Sequence, residues 1–230
     1  MCIRDRFDGS GVFATIAPHR ARDPKVVSAA DMLARAVAPG SLVSILGARV
    51  ESVRAGNTAA PVLAGAPSSS EIQIPFSASG NAITFNATSG VNTLNLPALP
   101  LTAASPGILV SADGSPMLLD ADQGLMLDAS NPAHSGARIQ ILATGLGRVT
   151  PDWPTGLAAP INNPSKVAGT VHAFLDRAPL EVNRATLAPG YVGFYLIELA
   201  IPKIVNYGPA ELYVDVDGAP SNRVRVYVEP

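Results

Sequence analysis

The side chains best suited to chemistry in this chain are four aspartates and one tryptophan. Asp113, Asp120, Asp122 and Asp128 fall within one short stretch. Carboxylates at such spacing can bind calcium, which takes roughly six to eight oxygen ligands. Asp120 and Asp122 begin like a calcium loop, but the fifth position is Gly124 and no bidentate Glu follows at the required distance. Two readings stand. The turns 113–128 converge on calcium, or each Asp bonds the backbone of its own solvated turn. Trp153, the only tryptophan, sits in Pro151-Asp-Trp-Pro-Thr-Gly156. A Trp exposed on a Pro-stiffened loop can stack on a sugar or a partner. The other reading is a plug over a sandwich edge or over a seam between domains.

Other chemistries lack their parts. Thr144-Gly-Leu-Gly147 resembles part of a dinucleotide fingerprint, but the third glycine is Thr150, and Pro151 and Pro154 forbid the helix that must follow. His19, His134 and His172 show no metal-ligand spacing. There is no G-x-S-x-G elbow, and nothing pairs any two of the 18 carboxylates for glycosidase work. No catalytic, cofactor-binding or metal residue is therefore assigned, and no cofactor is expected. Tyr191, Phe194 and Tyr195 read as core and corner packing.

Bulk composition narrows the partners. The formal net charge is −2 and no basic block appears, so nucleic acid and anionic membrane surfaces are not expected partners. Hydrophobic residues make up 47% and charged residues 15%, which argues against disorder. Mean hydropathy is +0.26. Even so, no run reaches the roughly 18 apolar residues of a spanning helix. The best candidate, 191–201, is broken by Glu198 and stopped by Pro202. The single cysteine, Cys2, excludes a disulfide scaffold.

The elements that must carry these residues read as strands, and the chain says nearly the same thing twice. Ala38-Pro-Gly-Ser-Leu-Val-Ser-Ile-Leu-Gly47 is echoed by His134-Ser-Gly-Ala-Arg-Ile-Gln-Ile-Leu-Ala-Thr-Gly145. Ser70-Glu-Ile-Gln-Ile-Pro75 is echoed by Leu196-Ile-Glu-Leu-Ala-Ile-Pro202. Leu212, Val214 and Val216 alternate with polar residues up to Gly218, and Val224, Val226 and Val228 alternate after it, which is a hairpin pattern. Asp120-Ala-Asp-Gln-Gly124 reads as a second hairpin turn. The Val-rich final hairpin is a candidate for pairing with another chain. Residues 26–37 read as a lead-in loop or one helical turn with Ser28 as a cap. With 20 Gly and 21 Pro marking the turns, the fold expected is all-β, two consecutive immunoglobulin-like sandwiches. The domains expected are a fragment at 1–25, a first sandwich at 26–118 and a second at 119–230. Met1-Cys-Ile-Arg-Asp-Arg6 resembles a translated sequencing adapter, and residues 9–17 read as the last strand of a preceding domain.

Val26-Val-Ser-Ala-Ala30, the stretch 38–47, Ser130-Asn-Pro-Ala133, Gly136, Ala143-Thr-Gly-Leu-Gly147, Leu187-Ala-Pro-Gly-Tyr-Val-Gly193 and Gly218-Ala-Pro-Ser-Asn-Arg-Val224 occur in order. Together they make residues 26–230 resemble an uncharacterised C-terminal domain family. That family is abundant in predicted exported proteins of Acidobacteria, notably Solibacter. The chain departs from the family pattern at Leu196, where a glutamine is usual, and at Asp176-Arg177, where Gly-Gly is usual. The resemblance implies an exported, immunoglobulin-like module of a larger protein and no established activity. The expected function is a non-catalytic extracellular or cell-surface structural or adhesion module. The alternative is a polysaccharide- or ligand-binding module built on the Trp153 loop. Expected partners are the preceding domain, polysaccharide or other surface proteins, with no membrane insertion.

Overall fold

The computed structural model describes residues 24–230. The strand expected at 9–17, the segment 1–6 and His19 lie outside the described residues.

The first unit is built from ten strands: β1 (Lys25–Ser28), β2 (Leu42–Leu46), β3 (Ser52–Ala55), β4 (Thr58–Ala60), β5 (Val62–Ala66), β6 (Ser69–Gln73), β7 (Ala82–Ile83), β8 (Phe85–Ser89), β9 (Asn92–Asn95) and β10 (Leu99–Pro100). They form one sheet in the order β1-β2-β6-β5 and another in the order β4-β3-β8-β9. In immunoglobulin lettering these are A-B-E-D facing C′-C-F-G. The β7–β10 pair continues the last hairpin, and a parallel bridge joins Val37 to Leu101. The alternation that a sandwich requires is visible strand by strand. Val43, Ile45, Ile72 and Ile74 point into a core shared with Val53, Phe85 and Ala87.

The second unit repeats the plan with β11 (Gly107–Ile108), β12 (Leu118–Asp120), β13 (Ala133–His134), β14 (Arg138–Thr144), β15 (Val149–Thr150), β16 (Lys166–Val167), β17 (Val171–Leu175), β18 (Ala178–Leu187), β19 (Tyr195–Ala200), β20 (Gly208–Val216), β21 (Ala219–Pro220) and β22 (Val224–Glu229). One sheet sets β11 and β12 against β14, then β19, then β18. The other runs β13-β22-β20-β17-β18. Strand β18 belongs to both. Its first residues pair with β17, and Glu181 onward pairs with β19, with a register break between Val182 and Arg184. A bulge bends a strand, and here it carries the chain from one sheet to the other. As in the first unit, a parallel contact, Ala133 to Val228, ties the opening segment to the closing strand. Ile139, Ile141, Ile197, Leu199, Leu212 and Val214 form the centre of this core.

The echoed segments thus have a structural meaning. They are β2 and β14, and β6 and β19, the adjacent B and E strands at the centre of each A-B-E-D sheet.

Three features differ from the sequence reading. The changeover between units falls between Leu101 and Gly107, ahead of the expected 118/119, because β11 already pairs with β14. The Pro-rich run is the connector, and the Asp113-Gly114 turn lies wholly in the second unit. Residues 25–28 form an edge strand instead of a loop or helical turn. Ser28 Oγ accepts the Ala30 N–H at 3.2 Å in a local turn. Strand β22 is flanked by β20 along its length and by β13 at Val228 and Glu229, so only part of its outer edge is open.

Candidate functional site

The side chains that sequence reasoning singled out gather only in part. Asp113 Oδ1 accepts the Ser111 hydroxyl and the Ser115 N–H, and these bonds hold its carboxyl below the ordinary aspartate range. Asp120 Oδ1 accepts the amides of Asp122 and Gln123. Asp128 Oδ1 accepts those of Ser130 and Asn131. Each carboxylate therefore caps its own turn. Among the described residues no group of three or more His, Cys, Asp or Glu side chains is placed to hold a metal. His172 lies exposed on β17, and His134 contacts the Pro230 carbonyl at 3.0 Å.

Trp153 lies at the junction of the two units. Its ring is half-buried against the second core. Its Nε1–H donates to Leu157 O at 3.1 Å, which pins the indole to its own loop. The ring faces an open cleft of about 330 Å³ shared with Phe76, Arg148, Asp152 and Thr155. Phe76 comes from the first unit and the rest from the second. The indole covers core and also lines a cleft.

What surrounds the cleft is a fixed seam. Leu42 N–H donates to Thr144 Oγ1 at 2.8 Å, and that hydroxyl donates to Gly193 O at 3.0 Å. Gly156 N–H donates to Gln73 Oε1 at 2.7 Å, and Phe76 N–H to Thr155 Oγ1 at 3.0 Å. Arg148 reaches back to Ala78 O at 3.1 Å. Gly193, at φ +73°, has room for no side chain, since a Cβ there would lie 2.5 Å from Leu42 Cδ2. Asn222 fixes β11, where the second unit begins, accepting from Ile108 N at 2.7 Å and donating to Ile108 O at 3.0 Å. Buried backbone groups must find partners. At this junction the side chains of one unit supply them for the other.

Three further side chains complete or depart from the sequence reading. Tyr195 is fully buried, as expected, and its hydroxyl donates to Gly147 O. Tyr191, read as packing, is instead 60% exposed, edge-on to Phe194. Glu198 lies nearly buried on the outer face of β19, 3.4 Å from Arg138 and 3.2 Å from Arg184. Asp122 is also paired with Arg138. The signal for this cluster was the cross-strand register, which places Gln140, Glu198 and Arg184 in one row.

No protein-family model and no curated protein matches the chain. Solved structures do. The SGBP-B protein of a Bacteroides ovatus mixed-linkage glucan utilization locus, solved with a mixed-linkage heptasaccharide, is 13% identical with a TM-score of 0.38, over 85% of this chain and 44% of that one. Domains 5–6 of the S-layer protein SbsC are 15% identical with a TM-score of 0.33, over 89% and 98%. A pair of tandem Ig domains of titin is 10% identical with a TM-score of 0.27, over 84% and 89%. The chain thus spans less than half the length of the first of these. Among the described residues no helix is long and apolar enough to cross a membrane.

Proposed function

We propose that the chain is a non-catalytic structural or adhesion module of a larger exported protein, acting at the cell surface or outside the cell. It would hold what precedes it at a fixed distance and angle. The observation that carries this reading is the seam. Leu42, Gln73 and Phe76 in one sandwich exchange hydrogen bonds with Thr144, Thr155 and Gly156 in the other. Tandem domains joined by a flexible linker have no need of such bonds, whereas a spacer that must keep its geometry does. The resemblance of residues 26–230 to the exported Acidobacteria-type domain family supports the same reading.

A second reading, a polysaccharide-binding role, is favoured by the cleft. Trp153 and Phe76 offer apolar ring surface, with Arg148 and Asp152 beside them to bond hydroxyls. Tryptophan fluorescence of the chain, titrated with soluble polysaccharides, separates the two readings because the emission has a single origin. An emission that shifts and saturates with one glycan makes the cleft a binding site. An emission indifferent to the whole panel leaves Trp153 as packing and the spacer reading in place.

A further inference from the structure

The outer face of the first unit carries a carboxylate with no partner among the described residues. Glu71 lies on β6 in a shallow groove walled by Met32, Leu46, Ala64 and Ala66. Among the described residues it makes no hydrogen bond or ion pair, and burial alone pushes its carboxyl above the ordinary glutamate range. A desolvated carboxylate is costly unless a cation meets it.

Beside it lies an open edge. Strand β5 has β6 on one side and, among the described residues, no strand on the other. Its sequence, Val62-Leu-Ala-Gly-Ala66, contains no charge, and Ala64, Gly65 and Ala66 are exposed. Natural edges are commonly guarded by lysine or by an inward-pointing charge. Here the guards are Pro61, Pro67, the Arg49 side chain beside Gly65 and the irregularity near Leu63, which limit pairing to about one short strand. Ala64 stands directly opposite Glu71 in the ladder. Its methyl group is the only side chain between Glu71 and whatever would lie beyond β5 on that face.

We propose that β5 is a strand-addition site for an extended partner segment whose basic side chain crosses Ala64 to pair with Glu71. Backbone bonds to an edge give such complexes their affinity, and alternate side chains give specificity. An added strand lies about 4.8 Å from β5, so only a long side chain, Lys or Arg, spans two strands to the carboxylate. The same charge argument disfavours a second copy of this chain as the occupant. Strand β5 itself carries no cation to bring to either Glu71 in a symmetric β5–β5 pairing.

The test is an amide NMR titration of the full chain with the capped peptide acetyl-Thr-Val-Lys-Val-Thr-amide. The expected result is saturable shifts at Val62–Ala66 and across β6. Affinity should fall roughly tenfold, the worth of a charge-assisted bond, when Glu replaces Lys in the peptide or in the Glu71→Gln protein. Glu71→Gln keeps size and shape, so it leaves folding intact. A second variant, Ala64→Lys, places a cation opposite Glu71 within the chain and should abolish peptide binding while leaving the protein folded. Absence of saturable shifts at millimolar peptide overturns the proposal. So does binding insensitive to either charge change, and so do β5 shifts that grow with protein concentration alone, which would mark self-pairing.

Discussion

The Thr144 hydroxyl accepts a hydrogen bond from the amide of Leu42, 102 residues earlier, and donates one to the Gly193 carbonyl. One buried oxygen therefore satisfies two backbone groups on opposite sides of the seam. Neither group has water as an alternative, because Thr144 is 1% exposed and Leu42 is fully buried.

Thr144→Val keeps the shape and removes both bonds. Two buried polar groups then lose their partner, at about 1–3 kcal/mol each. The expected fall in thermal midpoint is roughly 4–24 °C, at the 2–4 °C per kcal/mol typical of this size. Thr144→Ser retains the hydroxyl and should stay within a few degrees of the parent. Paired thermal melts of the two variants check this.

Gly193→Ala inserts a methyl group where Leu42 Cδ2 already lies. It also forces an L-residue into the left-handed region, at about 1–2 kcal/mol. The variant should be destabilised, and adding Leu42→Ala should recover part of the loss. A double-mutant cycle in urea measures the coupling. Strict additivity would mean that the two residues do not meet.

The turn joining β17 to β18 places Asp176 and Arg177 at φ +48° and +70°. A two-residue hairpin turn with both central residues at positive φ favours Asn-Gly or Asp-Gly. Asp176 also uses its side chain, accepting the Glu211 N–H at 2.8 Å, so it belongs there. Arg177 has no such compensation among the described residues. Arg177→Gly is expected to stabilise the protein by about 0.5–1 kcal/mol, the strain relieved exceeding the extra freedom of the unfolded chain. Urea denaturation at constant m-value gives the sign.

Tyr195 supplies a pH signature. Burial pushes its phenol far above the ordinary tyrosine range. Above pH 10 the unfolded chain releases this proton and the folded protein keeps it. Stability present below the unfolded pKa is therefore lost as pH rises beyond it, by about 1.4 kcal/mol per unit. Tyr195→Phe removes the Gly147 bond and lowers stability at pH 7 by about 1 kcal/mol. Its alkaline limb should be shallower than the parent's by one proton. Equal slopes between pH 10 and 11 would contradict the burial of the phenol.

Legibility in the sequence followed side-chain size. Strands β20 and β22 alternate large apolar and polar residues, so the period of two is plain, while β14 and β19 stand out as long apolar-rich runs. Strands β3 to β5 escaped because their inward positions hold Ala and Val among Ser, Thr and Gly, a weak contrast. The changeover between units was misplaced because strand β11 is only two residues long and its partner lies more than 30 residues ahead. The seam was invisible for another reason. Thr144, Thr155 and Gln73 are ordinary polar residues, and only the fold reveals that their partners are backbone atoms of the other unit. The Trp153 loop was recognised from composition, but a loop sequence carries no sign of the Phe76 that completes the cleft. Glu71 is a lone carboxylate in the sequence, and its isolation is a property of the sheet.

Held by this seam, the two sandwiches are expected to move as one body. Backbone 15N relaxation measured across residues 24–230 tests it most directly. A single rotational diffusion tensor is expected to fit the amides of both units, and Thr144→Val to loosen that fit. Two independent tensors in the parent protein, one for each sandwich, would contradict it.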